Sequence, residues 1–198
     1  MIKRIVIDGA PGSGKSTVLV GRSHEDTPNV RFDCLQDRNF QVIQETISVV
    51  FGRLRAEGKD PIENIEEAID RIVKAEIQRY SSPEGDGIVY FDRGLPGYET
   101  IANRYGVELS SQFLTACTEM RYDSPIFLFK VIEKYNMSKP RGRSSARVYS
   151  LQERLQRHTE AKACYEKLGY DVLEVPVFSS DVQKSINKRI EFMLQALD

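Results

Sequence analysis

The chain has 198 residues, 40% of them hydrophobic and 29% charged, a mixture that can bury a core under a polar exterior and that excludes a disordered or collagen-like chain. Its 28 basic and 29 acidic side chains leave a net charge of −1 with histidine neutral, so no global positive field draws the molecule onto nucleic acid or anionic lipid. No apolar run approaches the ~20 residues that span a bilayer, the chain enters Ile2-Lys3-Arg4-Ile5-Val6-Ile7 with no room for a signal peptide, and the scattered Cys34, Cys117 and Cys164 fit reduced thiols better than a disulfide framework; the expectation is one cytoplasmic domain spanning 1–198.

In chain order, Ile5-Val6-Ile7 reads as a buried strand stopped by Asp8-Gly9, and a helix opens near Gly14 with Val18 and Leu19 turned inward. Val30-Arg31-Phe32 reads as a second strand. Phe40, Ile43, Ile47, Val50, Phe51 and Leu54 recur at helical spacing and predict one long helix ending before Gly58. Ile62, Ile65, Ile69, Ile72, Val73 and Ile77 predict another after Pro61. A loop over 81–87 leads into the strand Ile88-Val89-Tyr90-Phe91, which delivers Asp92 at its carboxyl end. Leu109 to Met120 reads as a helix and Ile126 to Phe129 as a strand. Ser150-Leu151-Gln152-Glu153 has capping-box spacing, so a helix runs from there to Leu168 with Gly169 as its left-handed stop. Val172 to Val175 is the last strand, and Val182, Ile186, Ile190, Met193 and Leu197 stripe a terminal helix. Strands alternating with helices imply an α/β fold, a mostly parallel sheet between two helical layers.

The sharpest motif is Gly9-Ala10-Pro11-Gly12-Ser13-Gly14-Lys15-Ser16, which fits G-x-x-x-x-G-K-[ST] at every fixed position, after a strand and before a helix. Its glycines let the backbone turn tightly and point N–H groups inward at an anion, aided by the helix beyond the loop. Gly9, Pro11, Gly12, Ser13, Gly14, Lys15, Ser16 and Thr17 are the expected nucleotide contacts. Lys15 reaches the β- and γ-phosphates of ATP, with GTP left open, and Ser16 offers its hydroxyl to Mg²⁺. The plain alternative is a glycine-rich turn with no ligand.

Asp92 lies where ligands gather in a doubly wound sheet, at a strand's carboxyl end. It is placed to hold Mg²⁺ or to take a proton from a substrate hydroxyl, with Arg93 beside it. An Asp that merely caps a turn is the competing reading.

The loop from Gly9 to Thr17, the segment from Val89 to Pro96 and the segment from Tyr165 to Val172 before Val175-Pro176 together resemble the AAA-like predicted ATPases that group with ribosylnicotinamide-kinase-like domains. The resemblance implies a P-loop NTPase fold, a three-layer α/β/α sandwich closer to small-molecule kinases than to ring-forming motors. It also implies an acidic residue in the helix after the second strand, with arginine three positions later. Glu45 stands at the acidic position, as base or hydroxyl ligand, but Ser48 replaces the arginine. Asp33 and Asp37 are weaker candidates from the same region.

Between Lys139 and Arg157 lie six basic residues against one acid. The stretch reads as a short lid over about 137–150, whose Arg141, Arg143 and Arg147 close on the phosphates and stabilise the transferring group. A solvated loop and an anionic-lipid patch are the alternatives. Few aromatics interleave with these cations, which lends little support to nucleic acid.

The function expected is Mg²⁺-dependent phosphoryl transfer from ATP to a small hydroxylated or nucleoside-like molecule, with Lys15, Asp92, Arg93, Glu45 and the lid arginines as the catalytic set. The alternative is a regulatory nucleotide-binding module that recruits a protein or lipid. No guanine-reading Asn/Thr-Lys-x-Asp motif is completed at Asn187-Lys188-Arg189-Ile190.

Overall fold

The computed structural model describes residues 1–21, 33–133 and 149–197. Five strands form one parallel sheet: β1 (Ile2–Asp8), β2 (Gln41–Ile43), β3 (Gly87–Asp92), β4 (Asp123–Phe129) and β5 (Val172–Val175), in spatial order β2-β3-β1-β4-β5. The central strands are apolar runs because both faces are covered, the condition a parallel sheet requires. Val6, Val89, Phe91 and Ile126 face one way, into a core shared with α2 (Ile47–Ala56), α3 (Ile65–Ser81), α4 (Glu99–Arg104), α5 (Ser111–Glu119) and Tyr165 of α6 (Leu151–Lys167). Ile5, Ile7, Tyr90, Phe127 and Phe129 face the other, against α1 (Lys15–Val20) and α7 (Val182–Gln195). The result is the expected α/β/α sandwich.

Several local expectations are met in detail. Ser150 accepts from the Glu153 backbone N–H at 3.1 Å while Glu153 accepts from the Ser150 N–H at 2.8 Å, which closes the capping box at the start of α6. Gly169 is left-handed, with φ 75°. Ile186, Ile190 and Met193 are buried on α7, and all three cysteines are buried free thiols.

Two expectations are corrected. The long helix predicted from Phe40 to Leu54 is a strand and a shorter helix: Gln41-Val42-Ile43 pairs with Val89-Tyr90-Phe91, and α2 begins only at Ile47. Phe40 and Val42 pack on one side of the sheet and Ile43 on the other, so the three-residue interval from Phe40 to Ile43 joins opposite faces of a strand rather than one face of a helix. Ile62 lies before α3 and is largely exposed, so it is not on the inner face of that helix. The strand read at Val30-Arg31-Phe32 lies outside the described residues.

Sheet register brings three strand ends level. Ile7 is opposite Asp92, and Ile43 opposite Phe91. The carboxyl ends of β1, β3 and β2 therefore stop side by side and release Asp8, Asp92-Arg93 and Gln44-Glu45 at one edge. Beside β1 the chain switches sides of the sheet, the place where open α/β sheets form their ligand crevice.

Candidate phosphate-binding site

A cavity of about 380 Å³ opens at that edge. Every residue of the motif from Gly9 to Thr17 lines it, together with Asp8, Glu45, Asp92 and Arg93. The loop must turn sharply out of β1: Gly9 has φ 148°, and a Cβ there would come within 2.7 Å of the Phe129 carbonyl. Gly14 precedes α1 with φ 87°, a conformation that costs a glycine little and other residues more. Lys15 Nζ turns back to donate to the Gly9 carbonyl at 2.5 Å.

Asp8 anchors the loop. It is 1% exposed and accepts from the Gly9 N–H at 2.7 Å and from the Tyr165 hydroxyl at 2.9 Å. That hydroxyl also accepts from the Gly94 N–H at 3.1 Å, so α6, the end of β1 and the turn after β3 share one hydrogen-bonded junction.

Arg93 crosses the floor between two carboxylates, 3.7 Å from Asp8 Oδ1 and 3.8 Å from Glu45 Oε2. Burial alone would make its charge less favourable, but Asp8 and Glu45 outweigh this and raise its pKa. Its backbone is left-handed, φ 69°, which is uncommon for a side chain of this size. Arg79 of α3 holds that conformation, donating to the Arg93 carbonyl at 2.6 Å, to the Asp92 carbonyl at 3.3 Å and to the Gln44 carbonyl. Glu76, 1% exposed, balances Arg79 at 2.9 Å and accepts from the Tyr98 hydroxyl at 2.7 Å. Burial raises the Glu76 pKa, opposed by Arg79 and by hydrogen bonds from Thr46 and Tyr98.

Asp92 is 6% exposed, and its Oδ1 has no hydrogen-bond partner among the described residues. Burial, reinforced by Glu45 and opposed by Lys15 and Arg93, pushes its carboxyl up to about 6. The Ser13 hydroxyl is buried without a partner in the same way. Unpaired buried oxygens on a polar cavity wall fit a site built to receive a cation and a phosphate, since such groups are costly to leave unmade.

Glu45 sits in the turn between β2 and α2, not within a helix as the resemblance implied, and it accepts from the Ser48 hydroxyl at 3.2 Å. Asp33 is paired with Arg38 at 2.6 Å and Asp37 accepts from the Cys34 thiol at 3.2 Å; neither lines the cavity. Arg141, Arg143 and Arg147, with most of the segment 137–150, lie outside the described residues. Of the two described cations in the basic stretch, Arg154 is buried in α6 and donates to the Ile132 carbonyl at 3.0 Å. Arg157 lines the cavity, its guanidinium 3.9 Å from the centre of the Tyr149 ring. Thr100, Ile101 and Arg104 of α4 complete the wall, and Arg104 is paired with Glu160 at 3.0 Å. Asp8 ends its strand just as Asp92 does, so the strand-end argument could have found it; Arg79 and Tyr165 carry no such signal.

The family described as "AAA domain" matches residues 4–184, nearly the whole sequence, and the chain belongs to that family. No curated protein matches it. Among solved structures it is similar to deoxyadenosine kinase from M. mycoides with the products dCMP and dCDP bound, at 15% identity, TM-score 0.59 and 98% coverage of each chain. The same kinase with dATP bound gives 16% identity, TM-score 0.59 and 98% coverage of each chain. Thymidylate kinase from Ehrlichia chaffeensis matches at 16% identity and TM-score 0.55, covering 100% of this chain and 99% of that one. At these identities the likeness establishes the fold. No helix among the described residues is long and apolar enough to cross a membrane.

Proposed function

We propose, with membership of that family as the premise, that the chain transfers the γ-phosphoryl group of ATP to a hydroxyl of a small nucleoside-like molecule. The observation that carries this reading is the meeting of the whole 9–17 loop, Asp92, Arg93 and Glu45 on one cavity. Gly9, Pro11, Gly12, Ser13, Gly14, Lys15, Ser16 and Thr17 wrap the phosphates, and Lys15 exchanges its bond to the Gly9 carbonyl for the β- and γ-oxygens. Ser16 and Asp92 would hold Mg²⁺, which supplies charge neutralisation on the transferring group. Glu45, the more exposed carboxylate, receives the proton of the attacking hydroxyl. Arg93 faces that hydroxyl and fixes Glu45 in place. Positioning and electrostatics account for most of the rate in such chemistry.

The acceptor is a neutral hydroxyl compound on this reading. Where the resemblance implies an arginine for an anionic substrate, Ser48 caps Glu45, and Arg93 is already shared between Asp8 and Glu45. The name of one similar structure, a deoxyadenosine kinase, supports a nucleoside acceptor through fold analogy alone, whereas that of the thymidylate kinase points to an anionic nucleotide. The basic segment about 137–150 serves as the lid, bringing Arg141, Arg143 or Arg147 to the phosphates alongside Arg157.

Incubation with γ-labelled ATP, Mg²⁺ and a panel of nucleosides and vitamins tests this. A labelled acceptor is expected. Release of free phosphate with no labelled acceptor across the panel would count against transfer and favour a regulatory nucleotide-binding role.

A further inference from the structure

Arg189 of α7 is a large buried cation outside the cavity. It is 1% exposed, and no carboxylate among the described residues lies within ion-pair distance. Its guanidinium rests on the Phe129 ring, 4.9 Å from the centroid, and donates to three carbonyls: Pro176 after β5 at 2.9 Å, Lys130 after β4 at 3.3 Å, and Ser13 inside the phosphate loop. Burial lowers its pKa to about 10, so the group stays cationic at neutral pH.

A trans peptide is planar, with its C=O and N–H pointing in opposite directions. Holding the Ser13 carbonyl towards α7 therefore turns the Gly14 N–H away from α7. Nothing but a glycine fits comfortably there: φ is 87°, and a Cβ would meet Arg189 Nη1 at 3.2 Å. Burying a guanidinium with only carbonyl dipoles around it is also costly unless an anion is near. A cradle for phosphate on the far side of the same peptide is such a place.

We propose that Arg189 is a positioning residue of the phosphate site, which from behind the loop aims the Gly14 N–H at the bound polyphosphate and supplies a buried positive charge that this polyphosphate balances. The inference rests on the nucleotide reading of the loop. It makes the C-terminal helix part of the binding machinery although no residue of α7 lines the cavity.

The test compares the full chain with Arg189→Lys and Arg189→Met, each first shown to be folded by circular dichroism and urea denaturation. Calorimetry with Mg²⁺ then measures ATP, tripolyphosphate and AMP. Arg189→Lys keeps the charge but not the three-carbonyl fork, and ATP and tripolyphosphate affinity should fall about tenfold, further for Arg189→Met, with AMP changed least. The direction of the Gly14 N–H in the ligand-free protein, read from residual dipolar couplings by nuclear magnetic resonance, should change in Arg189→Lys while the couplings of the central strands are unchanged. If Arg189→Met does not fold, Arg189→Lys carries the comparison. A folded Arg189→Lys that binds ATP and tripolyphosphate as the parent does overturns the proposal, as does an equal loss for AMP, which would mark a purely structural role. Should the parent itself bind neither ATP nor tripolyphosphate, the nucleotide reading falls, and the Gly14 dipolar coupling decides separately whether Arg189 orients that peptide.

Discussion

The Arg79 guanidinium donates to the main-chain carbonyl of Arg93 at 2.6 Å, and one arginine thereby fixes the backbone from which another reaches into the cavity. The same group binds the Asp92 and Gln44 carbonyls, so the ends of β2 and β3 are tied together next to Glu45. Arg79→Met would leave Glu76 buried without its cation and would take the Arg79 donors away from three carbonyls. The expected loss is ~3–5 kcal/mol of folding stability by urea denaturation, the usual result of breaking a buried pair. Adding Glu76→Gln should recover part of it, since the two residues interact directly.

Lys15→Ala should leave the fold intact, because the ammonium group bonds to the Gly9 carbonyl at the cavity wall and not to the core. ATP·Mg²⁺ affinity should drop about a hundredfold by calorimetry, the scale of losing charge-assisted contacts to two phosphates. Equal affinity in mutant and parent would refute the phosphate reading of the loop.

Asp92 predicts a trade between stability and activity. Its folded-state pKa of about 6 lies above the ordinary 3.8, so the folded state binds this proton more tightly than the unfolded chain. Its contribution to stability is complete below about 3.8 and is lost as pH rises through about 6. Asp92→Asn should therefore stabilise the ligand-free protein at pH 7 by roughly 3 kcal/mol, or about 6–12 °C in melting temperature, and by little at pH 4. Phosphoryl transfer should be abolished in the same variant. A melting-temperature difference independent of pH would contradict the assignment.

Tyr165→Phe removes the hydroxyl that joins Asp8 to the Gly94 N–H. A cost of ~1–3 kcal/mol is expected, since a buried carboxylate oxygen and a backbone donor each lose a partner. Turnover should fall more than nucleotide affinity, because the loop amides remain while the turn carrying Arg93 loosens. Steady-state kinetics with the labelled acceptor separates the two effects.

Gly97 packs against Asp8 and the Tyr165 hydroxyl so closely that a Cβ would overlap the carboxylate. Gly97→Ala should displace Asp8 and cost ~1–3 kcal/mol, as overpacking of a tight core does, measurable as a lower urea midpoint. It should weaken ATP binding as well, a pair of losses that Gly106→Ala, with open space around it, should not show together.

What could be read from the sequence was local. The loop motif, the strand that delivers Asp92, the capping box at Ser150 and Glu153 and the stripe on α7 each depend on spacing within a few residues, and backbone geometry turns such spacing into structure without help from the rest of the chain. Gln41-Val42-Ile43 marks the limit, because three residues of ambiguous period become a strand only when β3 offers them a partner. The supporting polar residues lay wholly beyond that limit. Arg79 and Arg189 look like solvent-facing charges on amphipathic helices, and Tyr165 like one more aromatic. Their roles come from acceptors brought to them by folding: Tyr165 meets Asp8 across 157 positions and Arg189 meets Ser13 across 176. A buried polar group is defined by the partner that satisfies it, and only the packed sheet with its two helical layers brings those partners into reach.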